Sequence, residues 1–224
     1  VSKAAYIVLG VTTEGYKDIL SITVGANESS KFWLGMLNDL KNRGVQDVLF
    51  FCVDGLPGFR DAIQTVFPQA QIQRCIIHML RNSFKYVNYS DLKKFASDFK
   101  AVYNASTEEM GKLELETLKG TWGKKYPYAI RSWEDNWEDL SSFYQFSSEL
   151  RKIMYTTNII EGVNRQYRKA TKNKSVFPND ASLAKMLYLA SQNVMKKWTQ
   201  RYRGWDQVIG QLILLYGERL TQYL

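Results

Sequence analysis

Asp54, Glu161 and the pair Cys75 and His78 are the side chains whose types and spacing could do chemistry. Asp54 closes the apolar run Val48-Leu49-Phe50-Phe51-Cys52-Val53 and is followed by Gly55-Leu56-Pro57-Gly58. A run of apolar and β-branched residues ended by Gly and Pro reads as a buried strand entering a turn. The carboxylate then sits at the carboxyl end of a core strand, where ligands gather in open α/β sheets. There it can hold a metal ion; the plainer reading is a surface charge or a helix cap.

Glu161 lies three residues after Asn158 in Asn158-Ile159-Ile160-Glu161, which is capping-box spacing, so it could simply close the first turn of its helix. Its surroundings suggest more. Arg165, Arg168 and Lys172 follow at steps of four, three and four, which puts all four residues on one helical face. From Arg151 to Lys174 there are seven basic residues and one acid. A solvated face with a Glu161–Arg165 ion pair, worth a few tenths of a kcal/mol, is the bland alternative. A stripe of one sign tracks a phosphate backbone, and an acid at its head fits best where a cation sits beside it.

Paired carboxylates beside basic side chains suit divalent-metal phosphodiester chemistry. Two Mg²⁺ ions about 3.5–4 Å apart activate the attacking oxygen and stabilise the leaving one. Mg²⁺ takes oxygen ligands and keeps several waters, so a few Asp and Glu from different elements suffice. Cys75-Ile76-Ile77-His78 could supply half of a zinc site. Such a site needs four ligands. His78 is the only His and Cys52 the only other Cys, so a carboxylate would also be required. A Cys–His nucleophile pair would need an orienting third group that the sequence does not supply. A local structural or DNA-positioning role is the preferred reading.

The elements that must position these residues can be sketched from periodicity. Ala5 to Val11 and Ile19 to Val24 read as strands joined by a hairpin at Thr13-Glu14-Gly15. A helical stripe from Phe32 to Leu40 stops at Gly44, the Asp54 strand follows, and a second stripe runs from Phe59 to Phe67. Gln71 to Ile77 is a further strand candidate. Together these predict a mixed sheet with helices against it.

Residues 79–155 carry few strand signals and several helical stripes, and read as an all-helical insertion. Trp133 and Trp137 fall four apart, hence on one helical face, and core packing is preferred to base stacking. Residues 156–224 return to long helices. Asp180 is the expected cap of one and Asp206 of the last.

At 224 residues the chain can bury a substantial core. Its net charge of +8 favours a polyanionic partner. No apolar run approaches the roughly 20 residues of a membrane span, and two cysteines do not make a secreted disulfide scaffold. A reducing cytoplasm is the expected compartment.

Three blocks together resemble the Mutator-type transposases of bacterial insertion sequences: Asp54-Gly55-Leu56-Pro57-Gly58-Phe59, Gln73-Arg74-Cys75-Ile76-Ile77-His78-Met79-Leu80-Arg81-Asn82, and Tyr155-Thr156-Thr157-Asn158-Ile159-Ile160-Glu161. Shorter matches at Phe32-Trp33, Asn42-Arg43-Gly44, Lys124-Lys125-Tyr126-Pro127, Arg168-Lys169-Ala170-Thr171-Lys172-Asn173 and Phe177-Pro178 extend the likeness, in order, over nearly the whole chain.

The resemblance implies a ribonuclease H-like core with an Asp, Asp, Glu triad and a helical insertion before the final catalytic helix. Residues 1–78 and 156–224 would form the core and 79–155 the insertion. Asp54 would be the second Asp and Glu161 the catalytic Glu, both metal ligands. Cys75, His78 and Asn158 would support the active site, and Arg165, Arg168, Lys169 and Lys172 would hold DNA.

It further implies Mg²⁺ as cofactor, with Mn²⁺ able to substitute. Double-stranded DNA (element ends and target) would be the partner, bound by a homo-oligomer in the nucleoid-associated cytoplasm, with no membrane. The family's first Asp lies on the first core strand, and no acid precedes Glu14 here. The chain is therefore expected to start at the second strand, without the first Asp or the N-terminal DNA-binding region, and to bind DNA without competent strand transfer. The rivals are another ribonuclease H-like nuclease and a non-catalytic DNA-binding module.

Overall fold

Two runs rich in apolar and β-branched residues, joined by a tight turn, make the first two strands. In the computed structural model, which describes residues 4–25, 28–155, 158–172 and 176–224, β1 (Ala4–Val11) pairs antiparallel with β2 (Lys17–Gly25). The turn closes through Thr12 N–H to Tyr16 O (2.8 Å) and Gly15 N–H to Thr12 O (2.9 Å). Gly15 has φ +89°, in the left-handed region that favours glycine, and a Cβ there would run into the Trp205 ring.

Cross-strand partners share a face, so Ala5/Val24, Ile7/Ile22 and Leu9/Ile19 point one way and Tyr6/Thr23 and Val8/Ser21 the other. Ile7, Leu9, Ile19, Ile22 and Val24 pack on a core of Val163, Tyr167, Leu187 and Val194. These four come from α9 (Asn158–Thr171) and α10 (Asp180–Met195). Tyr6 instead meets Phe32 and Trp33 of α1 (Ser30–Asn42), with ring centroids 4.9 and 5.1 Å apart. Both faces of the hairpin thus carry packing partners.

Two compact units divide the chain. The first holds this hairpin with α1, α2 (Phe59–Val66), α9, α10, α11 (Trp205–Tyr216) and α12 (Glu218–Thr221). The second holds β3 (Phe50–Val53), β4 (Gln71–Arg74) and the helices between residues 76 and 155. These are α3 (Ile76–Phe84), α4 (Leu92–Asn104), α5 (Glu108–Trp122), α6 (Pro127–Glu134), α7 (Trp137–Ser141), a 3-10 turn at Ser142–Gln145, and α8 (Ser148–Tyr155).

The second unit's helical layer has an aromatic core. Phe95, Phe99, Trp133 and Phe143 are all essentially inaccessible. Phe99 lies 4.7 Å from both Phe95 and Trp133, centroid to centroid. The buried indole N–H of Trp133 donates to Ser83 Oγ (2.9 Å), as a buried polar group must.

Several expectations need correction. The mixed sheet takes the form of two small ladders, one antiparallel and one parallel, with no pairing between them among the described residues. β4 ends at Arg74, because Cys75 begins a helix whose amphipathic face buries Ile76, Met79 and Leu80. Trp133 and Trp137 do not share a helix: α6 stops at Glu134, and Asn136, non-helical, precedes α7. Trp133 is core, as expected, while Trp137 is only partly buried.

The cap of α10 is Asn179, whose side chain accepts from Ser182 N–H (2.9 Å), with Asp180 inside the first turn. The cap of α11 is Gly204, in the left-handed region at φ +75°, with Asp206 inside the first turn. Among the described residues no helix is long and apolar enough to cross a membrane.

Candidate functional site

Parallel pairing brings three candidate residues together. Phe50 to Val53 align with Gln71 to Arg74, one for one. The next residues on each strand, Asp54 and Cys75, therefore leave the ladder side by side, and Cys75 N–H donates to Val53 O (2.8 Å). Cys75 is the residue before α3, and His78 sits in that helix's first turn, three positions on and on the same face. The strand register and the helical turn together set Asp54, Cys75 and His78 within 4.8 Å of one another, ligand atom to ligand atom.

His78 Nδ1 lies 2.6 Å from Asp54 Oδ1. That is an ion-pair approach, but the ring N–H is not aimed for a linear hydrogen bond, and the buried Nδ1 has no hydrogen-bond partner among the described residues. The Asp54 carboxylate, and after it the Cys75 side chain, push the imidazole up to about 10. Asp54 is 47% exposed at its side chain, His78 29%, and Cys75 is buried.

Two residues beside this trio had no role assigned from sequence. Arg74 hydrogen-bonds Asn136 Oδ1. It also lines the turn after Asp54, where a Cβ on Gly55 (φ +76°) would come within 2.9 Å of the guanidinium. Gln73, 3% exposed, donates from Nε2 to the carbonyls of Arg74 (2.7 Å) and Leu140 (3.0 Å), and its Oε1 accepts from Ser142 Oγ (2.6 Å). Their position before Cys75 in a matching block was the only signal in the sequence. Fixed side chains around a site orient what it presents.

Glu161 belongs to the other unit, in the first turn of α9, where it is partly buried. Val163 and Tyr167 bury the side of α9 that faces the hairpin. Arg165, Arg168 and Lys169 are exposed on its other side, as is Lys172 just past its end. The capping-box reading depends on Thr156, Thr157 and the Asn158 side chain, which lie outside the described residues, as do Asn173 and Lys174.

Arg151, counted in the basic stripe from sequence, belongs elsewhere. It donates to the carbonyls of Phe146 (2.7 Å), Ala105 (2.8 Å), Ser106 (3.1 Å) and Tyr144 (2.6 Å) and stacks over Phe143 and Tyr144, so it ties helices together.

A carboxylate, a thiol and an imidazole thus gather at the carboxyl end of a parallel strand pair in an α/β protein, the end where ligands collect in such sheets. The family model "Transposase, Mutator family" matches residues 1–201, and the chain belongs to that family.

It is 42% identical over 219 residues to a "Probable transposase for insertion sequence element ISRM3-like" of Sinorhizobium fredii (strain NBRC 101917 / NGR234), covering 97% of this chain and 55% of that one. It is 41% identical to the "Transposase for insertion sequence element ISRM3" of Rhizobium meliloti (strain 1021), with the same coverage. A "Probable transposase for insertion sequence element" of Corynebacterium diphtheriae is 36% identical over 244 residues, covering 100% of this chain and 71% of that one. The chain spans about half the length of the first two relatives.

Proposed function

We propose that this chain is the catalytic region of an insertion-sequence transposase of the Asp, Asp, Glu type, with a ribonuclease H-like core interrupted by the helical layer. The observation that carries this reading is Asp54: an accessible carboxylate at the end of a parallel strand, in a chain whose relatives are named as insertion-sequence transposases.

Asp54 suits Mg²⁺ as an exposed oxygen donor. Asp54 and Glu161 would hold the ions, with Mn²⁺ able to substitute. When bound, the metal ions supply an activated attacking oxygen and a stabilised leaving oxygen for phosphodiester hydrolysis and strand transfer. The chain's own residues have separate tasks. Arg165, Arg168, Lys169 and Lys172 hold double-stranded DNA by its phosphates. His78 holds the Asp54 carboxylate in place, and Cys75 and Asn158 support the site. The protein would act as a homo-oligomer on element ends and target, in the nucleoid-associated cytoplasm.

Two experiments test this. In a full-length transposase of this family carrying the same residues, Glu161→Gln should abolish strand transfer, a loss of at least ~10³-fold, while DNA affinity stays within about twofold. Equal loss of both in a folded variant would reduce Glu161 to a helix cap. Replacing Arg165, Arg168, Lys169 and Lys172 together by Ala should flatten the dependence of log affinity on log salt by about 3–4 units on duplex DNA. An unchanged slope would remove DNA from this face.

A further inference from the structure

We propose that Asp54, Cys75 and His78 form a site for one borderline transition-metal ion of the Zn²⁺ class, with a fourth position open to water. The inference does not depend on the transposition reading, and it concerns an ion chemically distinct from Mg²⁺.

The donor set carries the argument. Oxygen alone is what Mg²⁺ selects, whereas a thiolate with an imidazole and a carboxylate selects Zn²⁺ and its neighbours. Cys75 and His78 place sulfur and nitrogen beside the one oxygen donor, all within 4.8 Å. At bond lengths of about 2.0–2.3 Å, tetrahedral ligands sit roughly 3.3–3.7 Å apart. Ion binding thus needs the widest separation to close by about 1 Å and the Asp54–His78 approach of 2.6 Å to open slightly. Rotation of three side chains can supply both.

The backbone around them is already set. The β3–β4 register fixes Asp54 against Cys75, and the first turn of α3 fixes His78 against Cys75. Cys75 and His78 Nδ1 are buried while Asp54 keeps a wet face, which gives the site a closed side and an open one, as in three-ligand zinc sites that retain a water. The ion would also engage the carboxylate proposed above for Mg²⁺, so occupancy would tune that carboxylate's availability.

The test is Co²⁺ binding to the purified, chelator-stripped protein, followed by absorbance. Expected are a thiolate-to-cobalt charge-transfer band and intense tetrahedral d–d bands, saturating at about one ion per chain and displaced by Zn²⁺ but not by excess Mg²⁺. Cys75→Ser should lose the charge-transfer band, and Cys52→Ser should keep it.

X-ray absorption of the unmodified Zn²⁺-loaded protein avoids any folding defect in a variant, and should show one sulfur at about 2.3 Å with nitrogen and oxygen at about 2.0–2.1 Å. A band that survives in Cys75→Ser, a band lost in Cys52→Ser, displacement by Mg²⁺, or a shell without sulfur would each overturn the proposal. Asp54 and His78 would then be an ion pair that needs no metal.

Discussion

The two ladders of this protein solve the same problem in opposite ways. β1 and β2 are joined by a short turn, and each strand's pairing is dictated by its neighbour in the chain. β3 and β4 are four residues each and pair across an intervening helix, α2. An antiparallel hairpin sends its two strand ends in opposite directions, so it presents no common edge for chemistry. A parallel pair delivers both carboxyl ends to one place, and Asp54 and Cys75 are the residues delivered. The cost is that the short parallel ladder cannot specify itself and must borrow its order from side chains far away in sequence.

Gln73 is the deepest of these borrowed supports, and replacing it should break the parallel ladder most. Gln73→Leu strips the Leu140 and Arg74 carbonyls and the Ser142 hydroxyl of their partner inside the core. Burying unsatisfied groups of this kind should cost about 3 kcal/mol in urea unfolding. A cost under about 1 kcal/mol would mean that the ladder stands on its backbone pairing alone.

The hairpin should instead be sensitive at its turn. Gly15→Ala places a side chain in a left-handed conformation and against the Trp205 ring, and should cost about 2 kcal/mol by the same measurement. Unchanged stability would show that the turn conformation is not what sets the register.

The residues leading into the two parallel strands give the smallest and most pH-dependent effect. Arg219 donates from Nε to Asp47 Oδ2 (2.7 Å) and from Nη2 to Asp47 Oδ1 (2.8 Å). It also reaches the carbonyls of Val48 and Gln69, so it ties the segments just before β3 and β4. Its guanidinium holds the Asp47 carboxyl below the usual carboxylate range. A depressed folded value stabilises above the ordinary value, and the contribution is lost as pH falls through the folded one. Asp47→Asn should therefore cost about 1.5 kcal/mol at neutral pH and progressively less as pH falls below about 4. Parallel stability curves for the two proteins across that range would remove the pair from the account.

Much of this was legible beforehand where local rules dominate. The hairpin, α1, α2 and the helical run after residue 76 follow from β-rich runs with a turn signal, 3.6-residue stripes and Gly or Pro stops. Errors gathered where a local signal met a tertiary one. Cys75-Ile76-Ile77 looks like strand until Ile76, Met79 and Leu80 find a core to face. Asp180 and Asp206 are good caps by type, but Asn179 and Gly204 sit where the backbone turns. Arg151 reads as one more charge in a basic stripe, while four carbonyls in the helical layer claim it.

The sequence by itself determined the family and the helical or strand character of most segments. Those properties depend on residue type and short spacing, which the chain carries wherever it folds. Only the tertiary structure decided that Asp54 meets Cys75 and His78, that the expected sheet is two ladders, and that Val163 and Tyr167 of α9 pack on the β1–β2 hairpin. Each of those outcomes depends on pairing or packing between residues distant in the chain. No local pattern encodes it, because the competing arrangements share the same propensities and differ only in what they bury.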